Sequence, residues 1–111
     1  MPYSFGTVIL VPFPFTDQTA SKKRPAVVVS SKSYNDARPD IIVMAITSQM
    51  RAASGSGDLQ LDEWQEAGLL KPSAVKPVIA TLEQSMVSKV LGALVDSDQA
   101  QLRKMISEVL R

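Results

Sequence analysis

Three short runs of apolar, mostly β-branched residues constrain the fold of this chain more than any other feature. They lie at residues 7–11, 25–29 and 41–47. Runs of this length are typical of β-strands, and the continuous apolar character of the second and third indicates burial on both faces. None approaches the roughly 20 apolar residues that a membrane-spanning helix needs. Residues 1–6 also lack a basic start and an apolar stretch, so we expect no signal peptide and a cytoplasmic location.

The last segment of the chain carries the clearest helical pattern. Asp96 can cap a helix N-terminus, and Gln99 three residues later can return a hydrogen bond to the capping residue. The apolar residues that follow recur at intervals of three and four, at Leu102, Met105, Ile106, Val109 and Leu110. This spacing predicts a helix over about residues 97–110 whose apolar stripe packs on a core.

Three further segments carry weaker patterns. Residues 58–61 can form an edge strand, and residues 74–82 contain two β-rich stretches interrupted by Pro77. Residues 87–95 fit either element, because their apolar spacing favours a helix whereas Gly92 favours a strand or a turn.

The stretches between these segments have the composition of loops. Residues 16–23 predict a mobile loop, residues 30–40 predict turns and short irregular structure, and residues 48–57 predict a flexible Gly/Ser loop. Together the patterns predict one domain over residues 1–111, of the α+β class but mainly β. We expect short, mostly antiparallel strands in a strongly bent sheet or small barrel, with a C-terminal helix.

Two amino acids that the sequence lacks limit its chemistry. The chain of 111 residues contains no cysteine and no histidine. Without cysteine there is no disulfide, no thiolate nucleophile and no cysteine-based metal site. Without histidine there is no Ser-His triad, no HExxH zinc site and no histidine base. Any catalysis must therefore use arginine, lysine, carboxylates, hydroxyls or backbone groups.

Positive charge is concentrated in the first half of the chain. The whole sequence has 12 basic and 11 acidic residues, yet residues 1–57 contain six bases and three acids. Residues 58–95 reverse the balance, with three bases and five acids. The basic half is compatible with an anionic partner, and equally with ordinary solvated charge.

The most concentrated basic stretch is Lys22, Lys23 and Arg24, which precedes Pro25 at the junction of the predicted loop and the second strand. An arginine held at a strand start can present its planar guanidinium to a groove, where it suits bidentate phosphate binding. The alternative interpretation is a basic turn exposed to solvent.

Hydroxyl groups mark two other candidate positions. Thr47 and Ser48 end the third strand, where hydroxyls can bind a phosphate but more often only cap a turn. Lys71 and Ser73 follow a bend at Gly68, and this segment can be either the edge of a site or an ordinary turn.

Taken in this order, the segments resemble the MazF/PemK family of toxins from type II toxin–antitoxin systems. The matching stretches are residues 6–17, 23–30, 43–48, 68–73 and 91–94. The resemblance implies a small SH3-like β-barrel with short helices, and a homodimer. It also implies an mRNA interferase, a sequence-selective endoribonuclease of single-stranded mRNA that uses no metal and no cofactor.

The resemblance also assigns residues. Arg24 and Thr47 match the catalytic positions, at which the RNA 2′-OH attacks the adjacent phosphate to leave a 2′,3′-cyclic phosphate and a 5′-OH end. The residues expected to bind the RNA are Lys22, Lys23, Ser48, Arg51, Lys71 and Ser73. The implied partner is a cognate antitoxin with an acidic C-terminal segment, and DNA would be contacted only through that antitoxin.

The resemblance leaves the general base open. Some members of the family have acidic residues where this chain has Thr19 and Ser73, which leaves Asp17 and Lys23 as nearby titratable candidates. The alternative function is therefore a catalytically degenerate SH3-like module that binds RNA or protein.

Two other readings concern side chains outside the proposed catalytic pair. A metal-dependent nuclease would need the acidic group at residues 58–66, which we interpret as a solvated loop. Phe13, Phe15 and Trp64 can stack on bases, but such side chains more often lie in the core.

Overall fold

The computed structural model describes residues 3–12, 23–48 and 58–110. Within these ranges the chain forms six strands, two α-helices and one short 3-10 helix. In chain order these are β1 (Thr7–Pro12), β2 (Lys23–Val28), α1 (Lys32–Ala37), β3 (Asp40–Thr47), β4 (Leu59–Gln60), β5 (Ala74–Glu83), the 3-10 helix (Gln84–Met86), β6 (Lys89–Ala93) and α2 (Asp96–Leu110).

The six described strands form a single antiparallel sheet in the order β4-β5-β3-β2-β1-β6. The sheet curls into a half-barrel that carries α2. The prediction of a mainly β fold with a bent antiparallel sheet and a C-terminal helix is therefore confirmed. None of the helices in the described ranges is long and apolar enough to cross a membrane.

The strong strand predictions are confirmed, and the weaker ones are resolved. The edge-strand prediction holds at Leu59–Gln60, and the ambiguous residues 87–95 contain strand β6. The stretch around Pro77 is one strand rather than two, because β5 continues through it. Its pairing with β3 shifts between Val75 and Ile79, so Pro77 lies in an irregularity where its missing N–H leaves no gap in the ladder.

The prediction of turns and irregular structure at residues 30–40 is wrong in part, because α1 lies there. The Ser31 side chain caps this helix by accepting a hydrogen bond from the N–H of Tyr34. Asn35 is buried and donates to the carbonyls of Tyr3 and Ser30, which ties the helix to the N-terminal segment. A helix of six residues that is stabilised by side-chain contacts has no apolar periodicity to reveal it.

The sheet buries apolar side chains on both faces, as continuous apolar strands require. On the helix face, Val8 and Val27 pack with Leu102 and Met105 of α2. On the far face, Ile9 belongs to a second cluster. The other strand residues of that second cluster are Val11, Ala26, Val28, Ile41, Val43 and Leu82. Side chains that alternate along each strand therefore reach different cores.

Helix α2 differs in two details from its prediction. Its first turn already includes Asp96, and the side-chain amide of Gln99 donates to the carbonyl of Leu94. The predicted reciprocal cap between Asp96 and Gln99 is therefore not the arrangement at this end. The apolar stripe is buried at Leu102 and Met105, whereas Val109 is 40% exposed and Leu110 is 60% exposed.

Candidate functional site

Most of the candidate residues that the structure describes lie at one end of the sheet. Because neighbouring strands are antiparallel, the start of β2, the end of β3 and the start of β5 meet there. Arg24 is the second residue of β2, opposite Val11 of β1, and Thr47 is the last residue of β3, opposite Ala74 of β5. Residues that are far apart in the sequence are therefore brought to a common edge.

The strand register places Arg24 directly across from Thr47. The β2–β3 pairing joins Ala26 to Ala45, Val27 to Met44 and Val28 to Val43. Continuing this register by two residues sets Arg24 opposite Thr47, and directly opposed residues on a sheet have Cβ atoms about 4.5–5.5 Å apart. Both side chains are half-buried and share the far face by strand alternation.

This pair combines two kinds of hydrogen-bond donor. The guanidinium of Arg24 offers a rigid fork with a permanent charge, and the hydroxyl of Thr47 offers one rotatable O–H. Donors of this kind on adjacent strands suit a tetrahedral anion such as a phosphate. Lys23 lies beside them at the start of β2, exposed and opposite Pro12.

A cavity of about 360 Å³ opens on the helix face at the same end of the sheet. Its apolar lining consists of Leu10, Pro25, Leu69, Leu70 and Leu91 together with Gly68. Its polar lining consists of Ser48, Lys71, Ser73 and Lys89. Three of the predicted RNA-binding residues, Ser48, Lys71 and Ser73, are therefore brought together, but on the face opposite to Arg24 and Thr47.

The turn that precedes this cavity depends on two glycines. Gly68 has a φ of +87°, and a Cβ placed on it would lie 2.1 Å from the carbonyl oxygen of Leu91. A Cβ on Gly92 would lie 2.5 Å from the carbonyl oxygen of Ala67. No larger residue fits this contact, which seats the turn against β6 and fixes the wall formed by Leu69 and Leu70.

A buried carboxylate holds the other end of the turn. Asp98, in the first turn of α2, is 1% exposed and accepts hydrogen bonds from the N–H groups of Asp62 (3.4 Å) and Glu63 (3.0 Å). The side chains of Asp62 and Glu63 are exposed, as the solvated-loop interpretation predicted. Asp98 therefore acts on the backbone of this acidic segment.

Ser73 has a structural hydrogen bond within the site. It is 4% exposed, and its hydroxyl donates to the carbonyl of Lys71 at 2.8 Å. That bond fixes the short turn between Lys71 and β5. Lys71 itself is exposed at the cavity rim.

Two of the cavity residues that the sequence interpretation missed are exposed to solvent. Lys89 is exposed at the start of β6, and Leu70 is 93% exposed beside Lys71. No sequence signal marks Lys89, because its place depends on β6 pairing with β1. The sequence does offer a signal for Leu70, because it is the second of two adjacent leucines and two adjacent residues seldom face the same core. In the structure only Leu69 is buried.

Several predicted residues lie outside the described ranges. They are Lys22 and Arg51 among the RNA-binding candidates, and Phe13, Phe15, Asp17 and Thr19 among the others. Trp64 is described, and it packs against the helix-face cluster, as the core interpretation predicted. Among the described residues, no group of three or more histidines, cysteines and carboxylates could hold a metal ion.

Comparison with known proteins identifies relatives of this fold. Residues 4–110 match the family model of the PemK-like, MazF-like toxins of type II toxin–antitoxin systems. The comparison with curated proteins gave no match.

Three solved structures are similar to this chain over almost its whole length. An endoribonuclease in complex with its cognate antitoxin, from a mycobacterial species, matches with a TM-score of 0.74 at 15% identity, over 98% of this chain and 93% of that chain. The Mycobacterium tuberculosis toxin MazF-mt6 gives 0.74 at 18% identity, over 92% and 93%. The MazE–MazF structure from Deinococcus radiodurans gives 0.75 at 16% identity, over 99% and 96%. These similarities establish a common fold.

Proposed function

Because this chain belongs to the PemK-like, MazF-like toxins of type II toxin–antitoxin systems, we propose that it is an endoribonuclease that cleaves single-stranded mRNA at short sequence motifs. The observation that supports the proposal is the β2–β3 register, which brings Arg24 opposite Thr47 at one end of the sheet when it is continued by two residues from the Ala26–Ala45 pair. The two side chains offer a charged fork and a hydroxyl to one phosphate.

The reaction proposed here uses a nucleophile from the substrate. The ribose 2′-OH attacks the adjacent phosphorus, the bond to the 5′-oxygen of the next nucleotide breaks, and a 2′,3′-cyclic phosphate forms. The 2′-OH loses its proton and the departing 5′-oxygen gains one. A chain without histidine or cysteine needs no nucleophile of its own for this chemistry.

Arg24 and Thr47 act on the phosphate in this scheme. The guanidinium binds the non-bridging oxygens and stabilises the negative charge that grows on them in the transition state. The hydroxyl of Thr47 donates to the same phosphate and fixes its orientation for in-line attack. Lys23 and Lys71 bind flanking phosphates, together with Lys22 and Arg51, which makes RNA affinity dependent on salt.

Two residues near the site are unsuited to act as the general base. Arginine is effectively always protonated, so Arg24 is unsuited to accept the 2′-OH proton. The hydroxyl of Ser73 donates to the Lys71 carbonyl and is buried, so it lies outside this step. Asp17 and Lys23 stay as candidates.

The direct test is incubation of the purified protein with a long single-stranded RNA in EDTA. We expect fragments whose new 5′ ends can be phosphorylated by polynucleotide kinase without prior phosphatase treatment, and whose 3′ ends carry a cyclic phosphate. Cleavage that stops in EDTA and returns with a divalent ion would contradict the metal-independent mechanism. Binding of RNA without any cleavage would identify the chain as a catalytically degenerate binding module instead.

The proposal includes partners and a location. We expect a homodimer in the cytoplasm, and a cognate antitoxin whose acidic segment covers the basic RNA site. Growth arrest on expression of this chain alone, relieved by a neighbouring gene that encodes a small protein with an acidic tail, would support it. Unchanged growth on expression of the folded protein would argue against a toxin.

A further inference from the structure

A charged residue lies on the far face of β5, where the side chains that follow it are apolar. Val78 and Leu82 pack in the far-face cluster, and Lys76 comes two residues before Val78 on the same strand. The chain neighbours of this lysine lie on the other face, since Val75 belongs to the helix-face cluster and Pro77 lines a cavity beside α2. Alternation along the strand therefore places Lys76 on the far face, the face of the proposed catalytic pair.

The register of the sheet sets Lys76 close to Thr47. Thr47 pairs with Ala74, and Lys76 follows Ala74 by two residues on the same face. Diagonal neighbours of this kind are about 7–8 Å apart, a span that a long side chain crosses. The far-face positions that border this path are alanines, Ala45 and Ala74, whose methyl groups leave room for a longer side chain. The ammonium of Lys76 can therefore reach a phosphate held at Thr47.

The irregularity in β5 falls at this lysine. The pairing with β3 jumps from Val75 to Ile79, so residues 76–78 lie across from Ala45 alone. Extra residues in one strand of a pair bend that strand and re-aim a side chain, and such bulges are common beside active sites. In the described part of the chain, no carboxylate forms an ion pair with Lys76, although the side chain is half-buried. A partly desolvated cation that has no carboxylate partner is suited to an anionic ligand.

We propose that Lys76 is the general acid of the cleavage and donates a proton to the 5′-oxygen as that oxygen leaves the phosphorus. The proposal rests on the ribonuclease function above, in which no residue yet supplies this proton. As the bond between phosphorus and the 5′-oxygen breaks, one proton passes from the ammonium to that oxygen. The product carries a 5′-OH, and the neutral amine regains a proton from water. The 2′-OH proton goes to a separate base, because an ammonium has three donors and no acceptor.

The order of the strands gives the three side chains different places around one phosphate. Strand β3 lies between β2 and β5, so a phosphate at Thr47 has the guanidinium of Arg24 on one side and the ammonium of Lys76 on the other. In-line attack sets the departing oxygen opposite to the 2′-OH across the phosphorus. A departing oxygen on the β5 side leaves the 2′-OH on the β2 side, where Lys23 is one of the candidates for the base.

The test uses RNA in which sulfur replaces the 5′-oxygen at the cleaved bond. A thiolate leaves without being protonated, so cleavage of this RNA needs no general acid. The wild type is compared with Lys76→Met, which has an uncharged side chain of similar length, and with Lys76→Arg, which has a charged group that stays protonated. Thermal melts check that both variants fold. The matched control is Lys104→Met, at an exposed position on α2.

The expected results differ between the two substrates. On ordinary RNA, both Lys76 variants should cleave about 10²-fold or more slowly than the wild type in single-turnover reactions. On the sulfur-substituted RNA, both should cleave as fast as the wild type, whereas Lys104→Met should match the wild type on both substrates. Arg24→Ala should be slow on both, because the non-bridging oxygens that it binds are unchanged.

The outcomes separate the two proposals. If the wild type cleaves RNA and the Lys76 variants lose nothing, or lose the same factor on both substrates, Lys76 is not the acid and the ribonuclease stands. If Lys76→Arg keeps full activity on ordinary RNA and Lys76→Met does not, the lysine only supplies charge to the phosphate, and the proposal is overturned. If the wild type leaves ordinary RNA whole, both proposals fail.

Discussion

The two halves of the candidate site are built in different ways. The far-face pair, Arg24 and Thr47, lies on strands β2 and β3, two residues beyond the paired positions Ala26 and Ala45. The helix-face cavity is walled by an irregular turn that depends on a glycine contact at Gly68 and a buried carboxylate at Asp98. The proposed phosphate-binding pair therefore lies on paired strands of the sheet, whereas the cavity wall rests on a few specific contacts in a turn. We therefore expect a substitution in one half of the site to leave the other half intact.

We expect the largest effect from removal of the Arg24 guanidinium, which belongs only to the far-face half of the site. For Arg24→Ala we expect RNA cleavage to fall by roughly 10²–10³-fold, because one preformed donor to the transition-state charge is lost. Single-turnover cleavage measures the loss, and a melt checks the fold. Lys104→Ala, at an exposed position on α2, serves as the charge-matched control. Cleavage by Arg24→Ala at the control rate would remove this residue from the mechanism.

A substitution at Gly68 tests the cavity half of the site. For Gly68→Ala we expect the free energy of unfolding to fall by at least about 2 kcal/mol, because a left-handed φ and a clash with the backbone at Leu91 add up. Urea denaturation gives the value. Gly6→Ala is the matched control: its φ is +95°, but its Cβ would meet the flexible side chain of Gln99 at 2.8 Å. Equal losses in the two variants would show that the backbone clash is unimportant.

A substitution of the buried carboxylate of Asp98 should cause a smaller loss of stability, also in the cavity half of the site. For Asp98→Asn we expect a loss of about 1.5 kcal/mol in the free energy of unfolding, because the charged acceptor for the N–H groups of Asp62 and Glu63 is weakened. Asp96→Asn lies in the same helical turn but is exposed, so only a few tenths of a kcal/mol from the helix dipole are at stake. If both variants lose the same amount, the two backbone hydrogen bonds do not hold the turn.

The regular half is also the half that the sequence predicts well. Continuous runs of valine and isoleucine identify β2 and β3, and the terminal stripe identifies α2, because each pattern reflects which faces are buried. The position of Arg24 at a strand start and of Thr47 at a strand end follows from those boundaries. What the runs cannot supply is the register between strands, which is what places the two residues face to face.

The irregular half escaped prediction for physical reasons. Asp98 looks like any acidic residue in a first helical turn, yet it is buried because its acceptors meet N–H groups more than thirty residues away in the chain. Lys89 joins the cavity only through pairing between β6 and β1. The presence of Gly92 in the sequence correctly favoured a strand over a helix at residues 87–95. The structural reason for a glycine there is a tertiary contact, the close approach of the Ala67 backbone.

The pairing of β1 with β2 has a consequence for how this scaffold can change. Pro12 lies opposite Lys23, so the sheet itself holds together the two ends of the segment at residues 13–22. Closing a chain between fixed ends costs only about 0.6 kcal/mol for each doubling of its length. Inserts of new length and composition can therefore be grafted beside Arg24 at small entropic cost.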